Sequence, residues 1–360
     1  MTQRLQIGLV FITMSMGFGF LQYPNLIFKI TKTGHFVVVL SYGLLQMFLM
    51  IIYKKGLNYF PKQDIIDIYL KMGRWVAFIF LIPYVLNLTA LVAMSLRQHA
   101  ENIGSIFLSR TPDWSILILL LFISTFTAIK GLGTILRSSF FIFFIVNFLV
   151  LFVVISSIVN VDFKNALPAY PSSLDFLTKK DFFYLMGFSS ILFLGFVPPE
   201  TKLKFGQLFA EWTYVIFFYL AVVYLPLFIF GQETVVTFHF PAKDAVDSVD
   251  INWFIFNQQT IFFGMSMVGL TILLNAVLLW IIGQIIRKLF NWQRNKPSYW
   301  ICAFSLIAFI FAVSVPNLAW IEKLSLWSAG VHAYFIVIIP FTIFIYGVIA
   351  NRGMTGYENK

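Results

Sequence analysis

The chain has 360 residues, of which 60% are hydrophobic and only 11% charged, with a mean hydropathy of +0.87. Soluble domains carry roughly 25% charged residues, so a soluble globular protein is excluded. The formal charge of +10 is scattered singly at the ends of apolar runs, which argues for a topological role and against a nucleic-acid partner.

Apolar runs between charged interruptions predict an all-α integral membrane protein of about ten transmembrane helices, forming one membrane domain over 1–360. Each run is near the ~20 residues a bilayer requires. In chain order the spans fall at 5–29, 36–53, 75–98, 113–129, 136–159, 182–203, 212–231, 253–286, 298–318 and 325–350.

The first span contains "MSMGFGFLQYP", in which Gly17 and Gly19 precede Pro24. Glycine weakens a helix and proline removes a donor, so Gly17 to Phe20 is expected to be unwound or kinked. In the third span Asn87 and Thr89 are polar groups near mid-membrane, and Arg97 is expected to snorkel from its end. Thr111-Pro112-Asp113 reads as the start of the fourth span, with a capping hydroxyl, an early proline and an acid at the positive dipole end. The connections at 160–181 and 232–252 have the length of lids or of segments with structure of their own.

The sixth span, "FFYLMGFSSILFLGFVPPETK", carries Gly187 and Gly195 ahead of Pro198 and Pro199, with Glu200 directly after. An ionisable group at a span's edge is a candidate for coupling or gating. In the eighth span Ser266, Thr271 and Asn275 are the polar positions. His332 in the tenth span is expected to bond a neighbouring helix. Cys302 reads as a small buried hydrophobe. His35, His99, His239 and His332 lack metal-ligand spacing, no nucleophile–base pair or phosphate loop occurs, and no cofactor is implied.

Sixteen of the 25 Lys and Arg fall on one side when the N-terminus is placed inside, so both termini are expected in the cytoplasm. All tryptophans except Trp280 lie near span ends, as an interfacial belt requires. Interrupted spans one and six would each open a five-helix half, 1–160 and 181–350, crossing in opposite directions. Matched glycine/proline interruptions of this kind mark inverted-repeat transporters, whose sites lie where the helices break.

At "MGFGFLQYP", "LNYFPKQDIIDIYLKMGRW", "RTPDW", "KGLGTILRSSFF" and "NALPAY" the chain resembles the spore-germination permeases, the GerAB-type B subunits of nutrient germinant receptors. The resemblance implies membership of the amino acid–polyamine–organocation superfamily and a LeuT-type 5+5 inverted repeat with broken helices 1 and 6. It also implies a small nutrient ligand, often an amino acid, A and C partner subunits, and the spore inner membrane. The segment "FLGFV" resembles that superfamily's Phe-x-Gly-Phe-acid pattern with Val197 in place of the acid; Glu200 is the nearest acid.

On the LeuT-type reading, Gly17, Gly19 and Phe20 would offer amides to a ligand carboxylate. Phe193, Gly195 and Phe196 would offer carbonyls to an amine and apolar walls to a side chain. Asn87, Thr89, Ser266, Thr271 and Asn275 are facing candidates on spans three and eight. The leading function is a transporter-like nutrient receptor; a proton- or sodium-coupled amino acid permease and an ion-conducting subunit are the alternatives.

Overall fold

A computed structural model describes residues 3–171, 173–198, 204–253, 256–291 and 297–358. The first span is two helices, α1 (Gln3–Gly19) and α2 (Gln22–Ile30), bent by 60°. The bend falls at Phe20 and Leu21. Helix α1 therefore continues through Gly17 and Gly19, and the interruption comes one residue later than the glycines suggest. Pro24 sits in the first turn of α2, where its missing N–H has no helical partner to lose.

Helix α3 (His35–Asn58) returns through the membrane, and the short α4 (Ile65–Met72) follows on the same side as the N-terminus. Asp64 caps α4, accepting the Asp67 N–H while Asp67 accepts the Asp64 N–H, a reciprocal capping box. Helix α5 (Arg74–Phe107) is the third span and is longer than the expected 75–98. Helices α6 (Asp113–Ile129) and α7 (Leu132–Ser157) follow. The N-cap of α6 is Pro112 rather than Thr111. Asp113 instead pairs with Arg97 at 2.6 Å, so that arginine is buried and paired, not snorkelling.

The sixth span is the most broken element. One and a half turns of α8 (Lys180–Leu185) pass into 3-10 turns at Met186–Phe188 and Ile191–Gly195, separated by Ser189 and Ser190. Glu200 lies outside the described residues. Helix α9 (Phe205–Val235) carries Pro226 and a kink at Gly231, whose φ of 72° is left-handed. The 160–181 connection packs here: Asn165 Nδ2 donates to the Phe228 carbonyl at 2.7 Å.

The 232–252 connection holds α10 (Pro241–Asp247) and runs into an antiparallel ribbon of β1 (Asp250–Trp253) and β2 (Phe256–Gln258). The eighth span thus begins at α11 (Thr260–Leu289), not at 253, because the ribbon takes the preceding residues. Helices α12 (Ser298–Ser314) and α13 (Leu318–Glu358) end the fold.

Among the described residues six of these helices are each long and apolar enough to cross a bilayer, and the bent α1–α2 pair makes seven. Helices α6 and α12, at 17 residues each, and the interrupted 180–195 segment fall short of that test. In the longest-buried span, α11, 78% of the apolar window is covered by other elements, against 22% for the α7 span. The core therefore forms around α11, α1 and α5, and α7 faces outward. Cys302 on α12 is exposed, contrary to its expected burial.

Candidate functional site

The two interruptions meet in the middle of the bundle. Ser15 of α1 and Ser190 of the sixth span share a 2.6 Å hydrogen bond, and Ser190 Oγ also donates to the Phe11 carbonyl at 3.0 Å. Beside this junction lies a small cavity that is open on one side. Gly17, Phe18 and Gln22 border it from the first span, and Gly187 and Phe188 from the sixth. Helix α5 adds Ser95, Gln98 and His99, α11 adds Leu274, and α13 adds Ser325 and Ser328.

Three polar atoms in this lining are buried without a partner: Gln98 Nε2, His99 Nε2 and Ser325 Oγ. The other His99 nitrogen, Nδ1, lies 2.7 Å from the Ser95 carbonyl and is therefore the N–H donor. That tautomer leaves Nε2 as a bare acceptor. Gln98 offers the complementary group, a bare N–H donor one residue away. Buried polar atoms without partners are rare and call for an explanation.

The expected site residues divide into those that reach the cavity and those that do not. Gly17 lines it. Asn87 stands one layer behind, donating to the Ser328 carbonyl at 3.0 Å and meeting His332 Nδ1 at 3.1 Å. Asn275 reaches the cavity through Ser95 Oγ, at 3.4 Å. Thr89, Ser266 and Thr271 turn back onto carbonyls of their own helices, at Val85, Phe262 and Met267. Gly19 is covered by the Tyr219 ring and Gly195 by the Tyr53 hydroxyl. Phe193 is buried, and Phe196 stacks on Tyr84 with centroids 6.2 Å apart. Phe20 faces a different, wholly apolar cavity and stacks on Phe263 at 4.7 Å.

Sequence reasoning missed Gln98, His99, Gln22 and Ser325. The first two fall at or beyond the expected end of the third span, whereas α5 continues to Phe107 and keeps them inside the bundle. Glu211 was missed for the same reason, one residue before the expected seventh span. It is a buried acid on α9 against Gly8, bonded by Gln207 Nε2 at 2.7 Å.

A smaller cavity lies on the far side from the N-terminus, bordered by Gln22, Asn25, Leu26, Lys29, Glu322 and Leu326. Gln22 belongs to both cavities. The two cavities therefore adjoin at that residue.

Comparison with known proteins agrees with this architecture. A family profile described as "Spore germination protein" matches residues 3–319. Spore germination protein YndE of Bacillus subtilis (strain 168) is 23% identical over 268 residues, covering 70% of this chain and 71% of that protein. Among solved structures, MhsT in complex with L-phenylalanine superposes with a TM-score of 0.66 at 13% identity, over 94% of this chain and 88% of MhsT. A manganese transporter of Eremococcus coleocola gives a TM-score of 0.61 at 14% identity, over 92% and 76% of the two chains. At these identities the structural likeness establishes the transporter fold alone.

Proposed function

The chain belongs to the spore germination protein family, and on that premise we propose that it is a transporter-like germinant receptor subunit binding an amino acid between its two broken spans. One observation carries the ligand class. Gln98 Nε2 and His99 Nε2 are a buried donor and a buried acceptor, both without partners, at the edge of one cavity. A carboxylate would satisfy the donor and an ammonium group the acceptor, so a zwitterion would remove both desolvation penalties together. Gly17 and Gly187 bring backbone to the same space.

Binding would shift the bundle between existing conformations by no more than the ligand's differential affinity for them. A and C subunits in the spore inner membrane would receive that shift, with both termini of this chain in the cytoplasm.

The test is a panel of amino acids offered to the purified chain in lipid nanodiscs, read as thermal stabilisation and as equilibrium binding. A ligand at one hundred times its Kd should stabilise the fold by about 2.7 kcal/mol. A flat response across the panel would sink the ligand class. The transporter fold of MhsT favours a second reading, an amino acid permease. Concentrative uptake into vesicles would establish it over the receptor.

A further inference from the structure

Breaking a helix in a membrane frees carbonyl groups that must find partners. In transporters with discontinuous helices these carbonyls commonly coordinate the coupling ion. We propose that in this chain donors from spans two and seven hold the carbonyls of the sixth-span break, so that its amino acid binds without an alkali-metal cation. The inference rests on the amino acid reading above and concerns what that ligand needs beside it.

The donors are fixed and buried. Gln46 Nε2 on α3 donates to the Met186 carbonyl at 3.2 Å. The Tyr219 hydroxyl on α9 lies 2.8 Å from both the Phe188 and Ser15 carbonyls and has one proton to give. Tyr42 on α3 covers Phe188 as well, at 3.4 Å. Tyr53 Oη donates to the Leu192 carbonyl at 3.2 Å. The Ser190 and Phe193 carbonyls accept N–H groups from within the broken segment, at 3.0 Å each.

The glycines of the breaks fit the same purpose. A Cβ on Gly195 would lie 1.8 Å from the Tyr53 hydroxyl, and one on Gly19 would lie 2.2 Å from the Tyr219 ring. Each glycine makes room for a tyrosine that closes a carbonyl. The three tyrosines and Gln46 are each at most 1% exposed, so no solvent exchange loosens these bonds. A cation could take the carbonyls only by expelling uncharged donors that would then be buried without partners, a large penalty.

The experiment compares NaCl, KCl and choline chloride at equal ionic strength, using the full chain in nanodiscs. Thermal midpoint is read without amino acid, and Kd with the best amino acid of the panel. The expected result is one midpoint in all three salts and Kd values within twofold. A saturable rise in midpoint with sodium, or a tenfold gain in affinity, would overturn the proposal, because a specific ion stabilises the folded state by mass action. Tyr219→Phe should lower the midpoint equally in all three salts; an unchanged midpoint also counts against it. If that variant does not fold, the salt series on the natural chain decides. If no amino acid binds while the midpoint stays flat across salts, the ligand reading fails and the closure of the carbonyls stands.

Discussion

Gly187 of the sixth span packs directly on the backbone of Ala329 in α13: an atom at its β position would lie 2.1 Å from the Ala329 carbonyl oxygen. Both residues border the central cavity. Because the obstacle is main chain, no rotamer change can absorb an added methyl group. Gly187→Ala should cost about 1–3 kcal/mol, the range for overpacking a close contact, and should weaken ligand binding by displacing one cavity wall. Thermal midpoints in detergent check this, with Gly133→Ala as control. Nothing lies within 4 Å of a Cβ at Gly133, so that change should not lower the midpoint.

The bare donor and acceptor in the cavity separate ligand binding from stability. Gln98→Met keeps the volume and removes a buried N–H that has no partner. The empty protein should be as stable as before, since losing an unsatisfied group removes its desolvation penalty. A hydrogen bond to a charged ligand group is worth about 1.5–3 kcal/mol, so Kd should rise roughly ten- to a hundredfold. Calorimetric titration beside thermal melts distinguishes this from a folding defect, which would move both.

How much of this was legible in the sequence follows from how local the physics is. The interruption of two spans five helices apart is written in glycine and proline, whose effects act within a turn. The cavity's place between them followed, and Gly17 borders it. The roles of Gly19 and Gly195 were not legible, because each is decided by a tyrosine on another helix. Tyr219 lies 204 positions from the Ser15 carbonyl it meets, and Tyr53 lies 139 from Leu192. Hydroxyls bonded to their own helix, such as Thr271, look identical in sequence to hydroxyls facing a ligand. Gly8 is the extreme case. It stands in an apolar run with no breaker nearby, yet its Cβ would fall 1.7 Å from Glu211 Oε1.

At the smaller cavity, Glu322 of α13 gathers two partners from different elements, His239 Nδ1 at 2.5 Å and Lys29 Nζ at 4.0 Å. Lys29 and His239 are both substantially exposed, and such pairs contribute about 0–1 kcal/mol. Glu322→Gln should therefore leave the thermal midpoint nearly unchanged. It should alter traffic instead: association and dissociation should both change while Kd holds within a few fold. Stopped-flow binding checks this, and a pure Kd effect with unchanged rates of entry would place Glu322 outside the path.

On the opposite face, Lys288 at the end of α11 closes on both members of the α4 capping box. Its Nζ lies 2.5 Å from Asp64 Oδ2 and 2.8 and 2.9 Å from the two Asp67 oxygens. The two carboxyls are pushed in opposite directions. Burial raises Asp64 above the ordinary aspartate value despite Lys288. Burial also acts on Asp67, but the Lys288 hydrogen bond and charge outweigh it and hold Asp67 below that value. The signs then differ. Asp67 contributes stability that is complete above about pH 4, the unfolded value, and is lost as pH falls through its lower folded value. Asp64 contributes stability that is complete below about pH 4 and is lost as pH rises through its higher folded value. Asp67→Asn should therefore flatten the acid side of a midpoint-against-pH curve. Asp64→Asn, which keeps a good cap, should remove the loss just above pH ~4 and cost little at neutrality. Lys288→Met leaves two carboxylates facing each other and should cost about 1–3 kcal/mol, between the exposed and buried limits for a broken ion pair. Identical curves for the two asparagine variants would show that the aspartates do not divide the work in this way.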